Sequence, residues 1–236
     1  MKEKLKSLYG YFSKGEKVLW FISVLLILAS FLIFDRENYL ALAAPLIGVT
    51  SLIFNAKGNP AGPFLMVVFS LLYGIISYSF AYYGEMITYL GMTAPMSVFA
   101  MVSWLKNPYS RDKAEVRVAR MKNSEMVFML ILTVFVTVVF YYILSTFNTA
   151  NLLPSTISVS TSFLAACLTY KRSACFALAY AANDIILVIL WTLAAFSDIS
   201  YLSVITCFAV FFVNDMYTFI NWTKIQKRQN IKNVKQ

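Results

Sequence analysis

The sequence predicts an all-α integral membrane protein with eight transmembrane helices. Eight apolar stretches are each long enough to cross a hydrocarbon core about 30 Å thick, and nearly all Lys and Arg residues lie between alternate stretches. The composition agrees, because 60% hydrophobic and only 13% charged residues leave too little polar surface for a soluble globule. The stretches, numbered here as segments 1 to 8, are 17–34, 39–56, 62–84, 87–105, 125–147, 152–170, 173–196 and 199–222.

The distribution of basic residues predicts the orientation of the chain. If residue 1 faces the cytoplasm, 19 of the 20 Lys and Arg residues lie on the cytoplasmic side and only Arg36 lies outside. This asymmetry over short loops follows the positive-inside rule, so we expect both termini in the cytoplasm. The net charge of +9 then reflects attraction to anionic lipid headgroups of the bilayer, and nucleic-acid binding is not expected.

Segment 1 follows five lysines, a pattern that a cleavable signal peptide shares. Its apolar run is about 18 residues long and no small-x-small cleavage site follows it, so we expect a retained helix. In segment 4, Pro95 predicts a kink or a loosened backbone. Segment 6 begins with the hydroxyl-rich run Pro154–Ser162. These hydroxyls could line a sugar pathway, or they could permit close packing and bond back to helix carbonyls.

Segments 2 to 4 resemble segments 6 to 8 in hydropathy. A shift of 112 residues superposes them, and a six-residue gap then aligns Ser103-Trp104-Leu105-Lys106 with Asn221-Trp222-Thr223-Lys224. Four crossings separate equivalent segments, so the two units form a parallel 3+1+3 repeat, unless the self-match is accidental. Parallel repeats are typical of transporters whose substrate site lies near the midplane between the units. We expect five parts: an N-terminal tail with an extra helix (1–38), the first unit (39–105), a cytoplasmic loop with a linker helix (106–151), the second unit (152–222) and a basic tail (223–236).

Two aspartates lie deep inside predicted spans. Asp184 in segment 7 is about 20 Å along the helix from Lys171, and Asp215 in segment 8 is about 14 Å from Lys224, so neither carboxylate reaches the headgroups. Inserting each costs about 3 kcal/mol, and such residues face the bundle interior or a wet cavity. They are candidate substrate-binding residues, with a helix-to-helix hydrogen bond as the alternative. The other nine acidic residues are assigned to loops, tails and helix ends.

Aromatic and amide side chains share helix faces with these aspartates. Aromatic faces bind planar or cationic rings, and Asn or Asp side chains bind hydroxyls and amides, so the combination suits a flat polar ligand. Two tryptophans at the ends of segments 4 and 8 are either ligand contacts or membrane-interface anchors. The candidate substrate-binding residues are Tyr180, Asn183, Asp184, Trp191, Asn214, Asp215, Tyr217, Asn221, Trp104 and Trp222.

Several function classes have no support in the sequence. The chain has no His, and Cys167, Cys175 and Cys207 lie in apolar segments without CxxC spacing, so we expect buried thiols and no disulfide, metal or cofactor. An intramembrane aspartyl enzyme is one alternative, because two Asp residues on successive helices could form a catalytic dyad. No GxGD, GxSxG, HExxH or Walker motif is present. We therefore expect a transporter and no catalytic residues, a structural or partner-binding protein being the other alternative.

The last two segments resemble those of the Pnu vitamin-transporter family. The runs that carry the resemblance are Ala179–Trp191 and Val213–Trp222, and the similarity extends over roughly 39–224. It implies a 3+1+3 fold related to full-length SWEET sugar transporters, a homo-oligomer for which a trimer is suspected, and facilitated diffusion of a vitamin that a cytoplasmic kinase then traps. It also implies pathway roles for Asn183, Asn214, Tyr217 and Trp222.

The chain departs from the nicotinamide riboside members of this family at two places. Those members show a WxxW pair shortly before the segment 7 Asn, where this chain has Phe176 and Ala179, and a Tyr-Gly-Trp-rich end on the helix that matches segment 4, where it has Ala100-Met-Val-Ser-Trp104. The two aspartates also indicate a divergent branch. We expect uptake of nicotinamide riboside or a related nucleoside-like vitamin across a bacterial inner membrane, the alternatives being (deoxy)ribonucleosides, thiamine and riboflavin.

Overall fold

A computed structural model describes residues 10–79, 82–110 and 113–234, without the side chains of Lys113 and residues 232–234. The first lysines of the predicted N-terminal tail, up to Lys6, and the end of the basic tail lie outside the described residues. Eight helices are long and apolar enough to span a membrane, which confirms the expected number within this part of the chain. We number them α1 to α8: Lys14–Phe34, Tyr39–Ala56, Ala61–Ser79, Tyr83–Lys106, Asn123–Thr146, Leu152–Tyr170, Phe176–Ala195 and Leu202–Val234.

The helices pack as two groups of three. Helices α2, α3 and α4 pack consecutively, as do α6, α7 and α8, and the groups meet where α8 packs on α2 and α4 packs on α6. Helix α1 packs on α2 and α8, whereas α5 packs on α6 and exposes most of its apolar side chains, as suits contact with lipid. We call the end of the bundle that carries the α2–α3, α4–α5 and α6–α7 connections the basic face, and the other end the opposite face.

The turns α2–α3 and α6–α7 have the same geometry. Gly58 has φ of 65° and Arg172 has φ of 57°, the left-handed conformation that ends many helices. The Gly58 N–H donates to the Asn55 carbonyl at 2.9 Å, and the Arg172 N–H donates to the Thr169 carbonyl at 3.0 Å. These turns therefore place corresponding carbonyl groups at the basic face, one in each group of helices.

Helix α4 contains a π-helical turn over Tyr89–Thr93. The Ala94 N–H donates to the Tyr89 carbonyl five residues earlier, and the next residue, Pro95, has no N–H to continue the α-helical pattern. The loosened backbone that Pro95 predicted is thus present. The π-helical turn lies between the two ends of α4, and its first residue, Tyr89, is buried in the protein interior.

The connection between α4 and α5 contains a β-hairpin that the sequence did not predict. Strand β1, Pro108–Ser110, pairs antiparallel with β2, Lys113–Val116. The buried Val116 donates its N–H to the Gly58 carbonyl at 2.9 Å, and Gln229 Nε2 donates to the Val116 carbonyl at 3.1 Å. The hairpin therefore joins the α2–α3 turn to the long C-terminal part of α8, as a short addition to a fold that is otherwise all-α, as expected.

Candidate functional site

The carboxyl groups of Asp184 on α7 and Asp215 on α8 lie beside each other, close enough to form a hydrogen bond when one of them is protonated. The two residues are 4% and 2% exposed. An ionised carboxylate can only accept hydrogen bonds, so this contact requires a proton held between the two groups. None of the ion pairs found among the described residues involves either aspartate. The centre of the bundle therefore presents an acidic, hydrogen-bonding pair without a basic partner.

Asn183 points toward a different neighbour from Asp184. Thr161 on α6 donates its hydroxyl to Asn183 Oδ1 at 2.8 Å. Three other hydroxyls of α6 bond to carbonyls of their own helix, namely Thr156 to Leu152, Ser160 to Thr156 and Thr169 to Ala165. The packing interpretation of the hydroxyl-rich run therefore fits these residues better than a hydroxyl-lined pathway.

A small cavity lies beside Tyr180 between the two groups of helices. It has a volume of about 10 Å³, which is room for about one water molecule, and its lining includes Asn55, Ser97 and Thr169. Tyr180 is half-buried and packs edge-on against Phe176, with ring centroids 6.3 Å apart. This cavity is therefore too small for a vitamin-sized ligand in the present conformation.

Asn214 and Tyr217 face α1 and not the centre of the bundle. Asn214 Nδ2 donates to Ser23 Oγ at 2.9 Å, and the Tyr217 hydroxyl donates to Glu16 Oε1 at 3.1 Å. Glu16 also pairs with Lys57, with Oε2 and Nζ 3.4 Å apart. The face of segment 8 that we expected to join Asp215 in one site is thus divided, since Asp215 turns to α7.

Trp104 and Trp222 lie together at the basic face, and both are fully buried. The Trp104 Nε1–H donates to the Thr169 carbonyl of α6 at 2.9 Å, and the Trp222 Nε1–H donates to the Asn55 carbonyl of α2 at 2.7 Å. The preceding residues form parallel bonds, from the Ser103 hydroxyl to the Tyr170 carbonyl at 2.8 Å and from Asn221 Nδ2 to the Ala56 carbonyl at 2.7 Å. We call these four bonds the indole latch. Because both indoles are buried, the membrane-anchor interpretation is wrong.

Trp191 lies toward the opposite face, in a cluster of tyrosines. Its ring centroid is 4.7 Å from that of Tyr82 and 5.3 Å from that of Tyr201. Tyr73 and Tyr89 complete the cluster, with centroids 4.4 Å apart. The structure therefore places Trp191 away from Trp104 and Trp222, near the first residues of α4 and α8.

Glu85 is a buried acid that the sequence analysis missed. We assigned it to the connection between segments 3 and 4, but α4 already begins at Tyr83 and Glu85 is 0% exposed. Neither carboxyl oxygen has a hydrogen-bond partner within the described part of the chain. The signal that could have found it is the spacing of Glu85 and Tyr89, which lie four residues apart on one helical face.

Metal and thiol chemistry have no site in the described residues. No group of three His, Cys, Asp or Glu side chains there could hold a metal ion. All three cysteines are free, but only Cys207 is buried, because Cys167 is half-buried and Cys175 is exposed. The expectation of buried thiols is therefore wrong for Cys175.

Comparison with known proteins identifies the family. The sequence profile described as Nicotinamide mononucleotide transporter matches residues 38–224, which is most of the chain. The chain belongs to this family. A relative from Neisseria mucosa, named Nicotinamide riboside transporter PnuC, is 25% identical over 229 residues, which cover 95% of this chain and 87% of the relative. A solved structure, described as that of the vitamin B3 transporter PnuC, has a TM-score of 0.80 at 23% identity over 92% of this chain and 94% of that one, and so shares the fold.

Membership in this transporter family confirms the resemblance seen in the last two segments. The protein is a multi-pass membrane transporter, and the intramembrane-enzyme interpretation of the two contacting aspartates is wrong. The family match begins just before α2, so α1 lies outside it. The polar contacts of Asn214 and Tyr217 with α1 are therefore made to a helix beyond the family core.

Proposed function

We propose that the protein mediates facilitated uptake of nicotinamide riboside, or a closely related nucleoside-like vitamin, across a bacterial inner membrane. One observation carries the proposal, namely that the buried pair of Asp184 and Asp215 has no basic partner among the described residues. Nicotinamide riboside has a cationic pyridinium ring, a carboxamide and ribose hydroxyls. A proton-sharing acidic pair can hydrogen-bond the amide or hydroxyls and also favours positive charge.

The same observation favours a riboside over a mononucleotide. A phosphate group needs Arg, Lys or several backbone N–H donors to replace its hydration. The ion-paired basic residues of the described chain, Lys57, Lys171 and Arg228, lie at or beyond the basic face, and no Lys or Arg occurs between residues 58 and 105 or 173 and 223. Thiamine is also a cation and is therefore the main competing ligand.

We propose alternating access by rocking of the unit 39–105 against the unit 152–222, with 106–151 as the connecting part. The indole latch supports this arrangement, because Trp104 and Trp222 make equivalent bonds from each unit to the other. This equivalence supports a parallel 3+1+3 repeat of the SWEET type, with 1–38 and 223–236 as additions at its ends. We also propose that the basic face is cytoplasmic, with both termini on that side, and that the protein forms a homo-oligomer, a trimer as in the related fold, with no role for nucleic acid.

Within this mechanism the candidate residues divide into three places along the pathway. Asp184 and Asp215, with Asn183 and Tyr180 beside them, would contact the ligand at the centre. Trp191 would contact it nearer the opposite face. Five residues would act at or behind the pathway wall, closing the basic face or joining α8 to α1 and α2: Trp104, Trp222, Asn221 with its bond to α2, and the α1-facing pair Asn214 and Tyr217.

Calorimetry on the purified protein in detergent tests the substrate. The ligands are nicotinamide riboside, nicotinamide mononucleotide, thiamine, riboflavin and a set of nucleosides, and the variants are Asp184→Asn and, as a matched control, the exposed Asp198→Asn. We expect binding of the riboside at least about tenfold tighter than that of the mononucleotide, and loss of binding in Asp184→Asn alone. Tighter binding of the mononucleotide would contradict the proposal. Binding of thiamine alone would show that the substrate is thiamine and not the riboside.

A further inference from the structure

We propose that Glu85 and the rings around it form a recognition site for the positively charged ring of the substrate, near the opposite face of the bundle. This inference rests on the proposed function, since it needs a cationic ligand. We call the site the Glu85 cage; it consists of Glu85, Tyr73, Tyr82, Tyr89, Trp191 and Tyr201.

Glu85 is a buried acid that has neither a counter-charge nor a hydrogen-bond partner among the described residues. Glu16 is nearly as buried, at 3% exposed, but it pairs with Lys57, accepts a hydrogen bond from Tyr217 and caps α1 through the Ser13 N–H at 2.7 Å. Glu85 is 0% exposed and makes no such bond to any described residue. A buried carboxyl without a partner is unfavourable, and in membrane proteins such a group is a candidate for a functional site. The missing partner is therefore best supplied by a ligand.

Aromatic rings from several helices lie near this carboxyl. Tyr82, just before α4, and Tyr89 are three residues before and four residues after Glu85, a spacing that places helical side chains on one face. The Tyr73 and Tyr89 rings are 4.4 Å apart, and Trp191 lies 4.7 Å from Tyr82, all between centroids. Aromatic faces attract cations, most strongly where water is excluded, and cages of this composition bind quaternary nitrogen. When Glu85 is ionised beside a bound cation, its carboxylate adds a full negative charge to that preference.

The residues of the Glu85 cage extend from the opposite face toward the level of the central aspartates. Tyr82 precedes the first turn of α4, and the half-exposed Tyr201 lies in the short 3-10 turn, Ile199–Tyr201, before α8, so both rings stand at the opposite face. Tyr89, in the π-helical turn, is within electrostatic range of both Glu85 and Asp184. A ligand that enters at this face would therefore meet Glu85 before it reaches Asp184.

The structural alternative is a Glu85 that is always protonated and only fills space. The two interpretations differ in what happens when the ligand loses its charge. Dihydronicotinamide riboside, the reduced form, has nearly the same size and the same polar groups, but its ring is neutral. A charge-recognising Glu85 distinguishes the two ligands, whereas a space-filling Glu85 does not.

The test compares binding of the two ligands to wild type, Glu85→Gln and the matched control Glu37→Gln, which changes an exposed acid in the α1–α2 connection. We expect Glu85→Gln to weaken binding of the cation at least about tenfold and that of the neutral ligand less than about twofold. Glu37→Gln should change neither. A second variant, Tyr82→Leu, keeps the carboxylate and removes one ring, and it should weaken cation binding several-fold more than neutral binding.

The outcomes separate the two proposals. Suppose that wild type binds nicotinamide riboside, but that Glu85→Gln weakens binding of both ligands equally or of neither. The proposed role of the Glu85 cage is then wrong, and the proposed function stands. The same conclusion follows if wild type does not bind the cation more tightly than the neutral ligand. It also follows if Tyr82→Leu weakens binding of both ligands equally, and this second variant decides the question if the Glu85→Gln protein fails to fold. If wild type binds neither riboside, the proposed function fails and the inference fails with it.

Discussion

Trp104 and Trp222 are reciprocal partners, with ring centroids 5.2 Å apart and each indole bonded to a carbonyl in the other group of helices. Trp104 bonds to Thr169 near the end of α6, and Trp222 bonds to Asn55 near the end of α2. Both bonds cross between the groups, so moving the groups apart at the basic face must break both. The structure is therefore closed at this face by two equivalent buried bonds.

Trp222→Phe is expected to open the basic face more often. The substitution keeps an aromatic ring but removes the bond to Asn55, which is worth about 1 kcal/mol and shifts a two-state equilibrium roughly fivefold. The reporter is Cys207, which is buried near Asp184, in a protein with Cys167→Ser and Cys175→Ser. Its rate of modification by a small thiol reagent added at the basic face should rise severalfold.

Trp20→Phe is the matched control for this measurement. The Trp20 indole also donates one hydrogen bond, to Thr50 Oγ1 at 3.1 Å, but it lies on the exposed side of α1 and bridges no groups across the centre. Its Cys207 modification rate should equal that of the parent protein. Equal rates for Trp20→Phe and Trp222→Phe would show that the indole latch does not control access.

Asp184→Asn and Tyr217→Phe should separate transport from stability. Asp184 contacts Asp215 at the centre, so its substitution should lower initial uptake at least about tenfold with a small change in melting temperature. Tyr217→Phe removes the bond to Glu16 on α1, worth about 1 kcal/mol, and should lower the melting temperature by a few degrees while uptake is retained. Uptake in proteoliposomes and thermal unfolding in detergent measure both quantities. The reverse pattern would place the ligand against α1.

The sequence predicted those features that depend on one helix at a time. The depth of Asp184 and Asp215 follows from counting residues along a span, and the match of Trp104 with Trp222 follows from their position before a lysine at a helix end. In the structure Asp184 lies beside Asp215, and Trp104 lies beside Trp222. Their physical basis is the fixed rise of the helix and the cost of charge in the membrane, which act locally.

The features that the sequence did not predict depend on neighbours. Asn214 shares a face with Tyr217, but only the position of α1 decides that this face binds Ser23 and Glu16. The hairpin is stabilised by bonds to distant residues such as Gln229, which no local pattern shows. Glu85 was missed because a charge at the edge of a hydropathy window looks like a helix end, whereas the folded chain buries it.

Gly62→Ala should destabilise the contact between α2 and α3. A Cβ at Gly62 would lie 2.1 Å from Asn55 Oδ1 and 2.7 Å from the Asn55 backbone N, so the backbone itself must move. Overpacking of this kind costs about 1–3 kcal/mol. Thermal unfolding should show a lower melting temperature, whereas Gly91→Ala, with no atom within 4 Å of its Cβ, should not. Similar melting temperatures for the two variants would mean that α2 and α3 do not approach this closely in the membrane.

Uptake is expected to be independent of an imposed pH gradient. The contact between the buried carboxyl groups of Asp184 and Asp215 is favourable when one of them is protonated and donates to the other, so we expect the pair to keep that proton while the protein changes conformation. Proteoliposomes with an internal pH one unit above or below the external pH should therefore show the same initial rate of riboside uptake, and the ligand should stop at equal concentrations inside and outside. Asp198→Asn, in an exposed turn, should behave in the same way. Accumulation above the external concentration that follows the pH gradient, and that is lost in Asp184→Asn, would instead show that the aspartate pair exchanges its proton in each transport cycle.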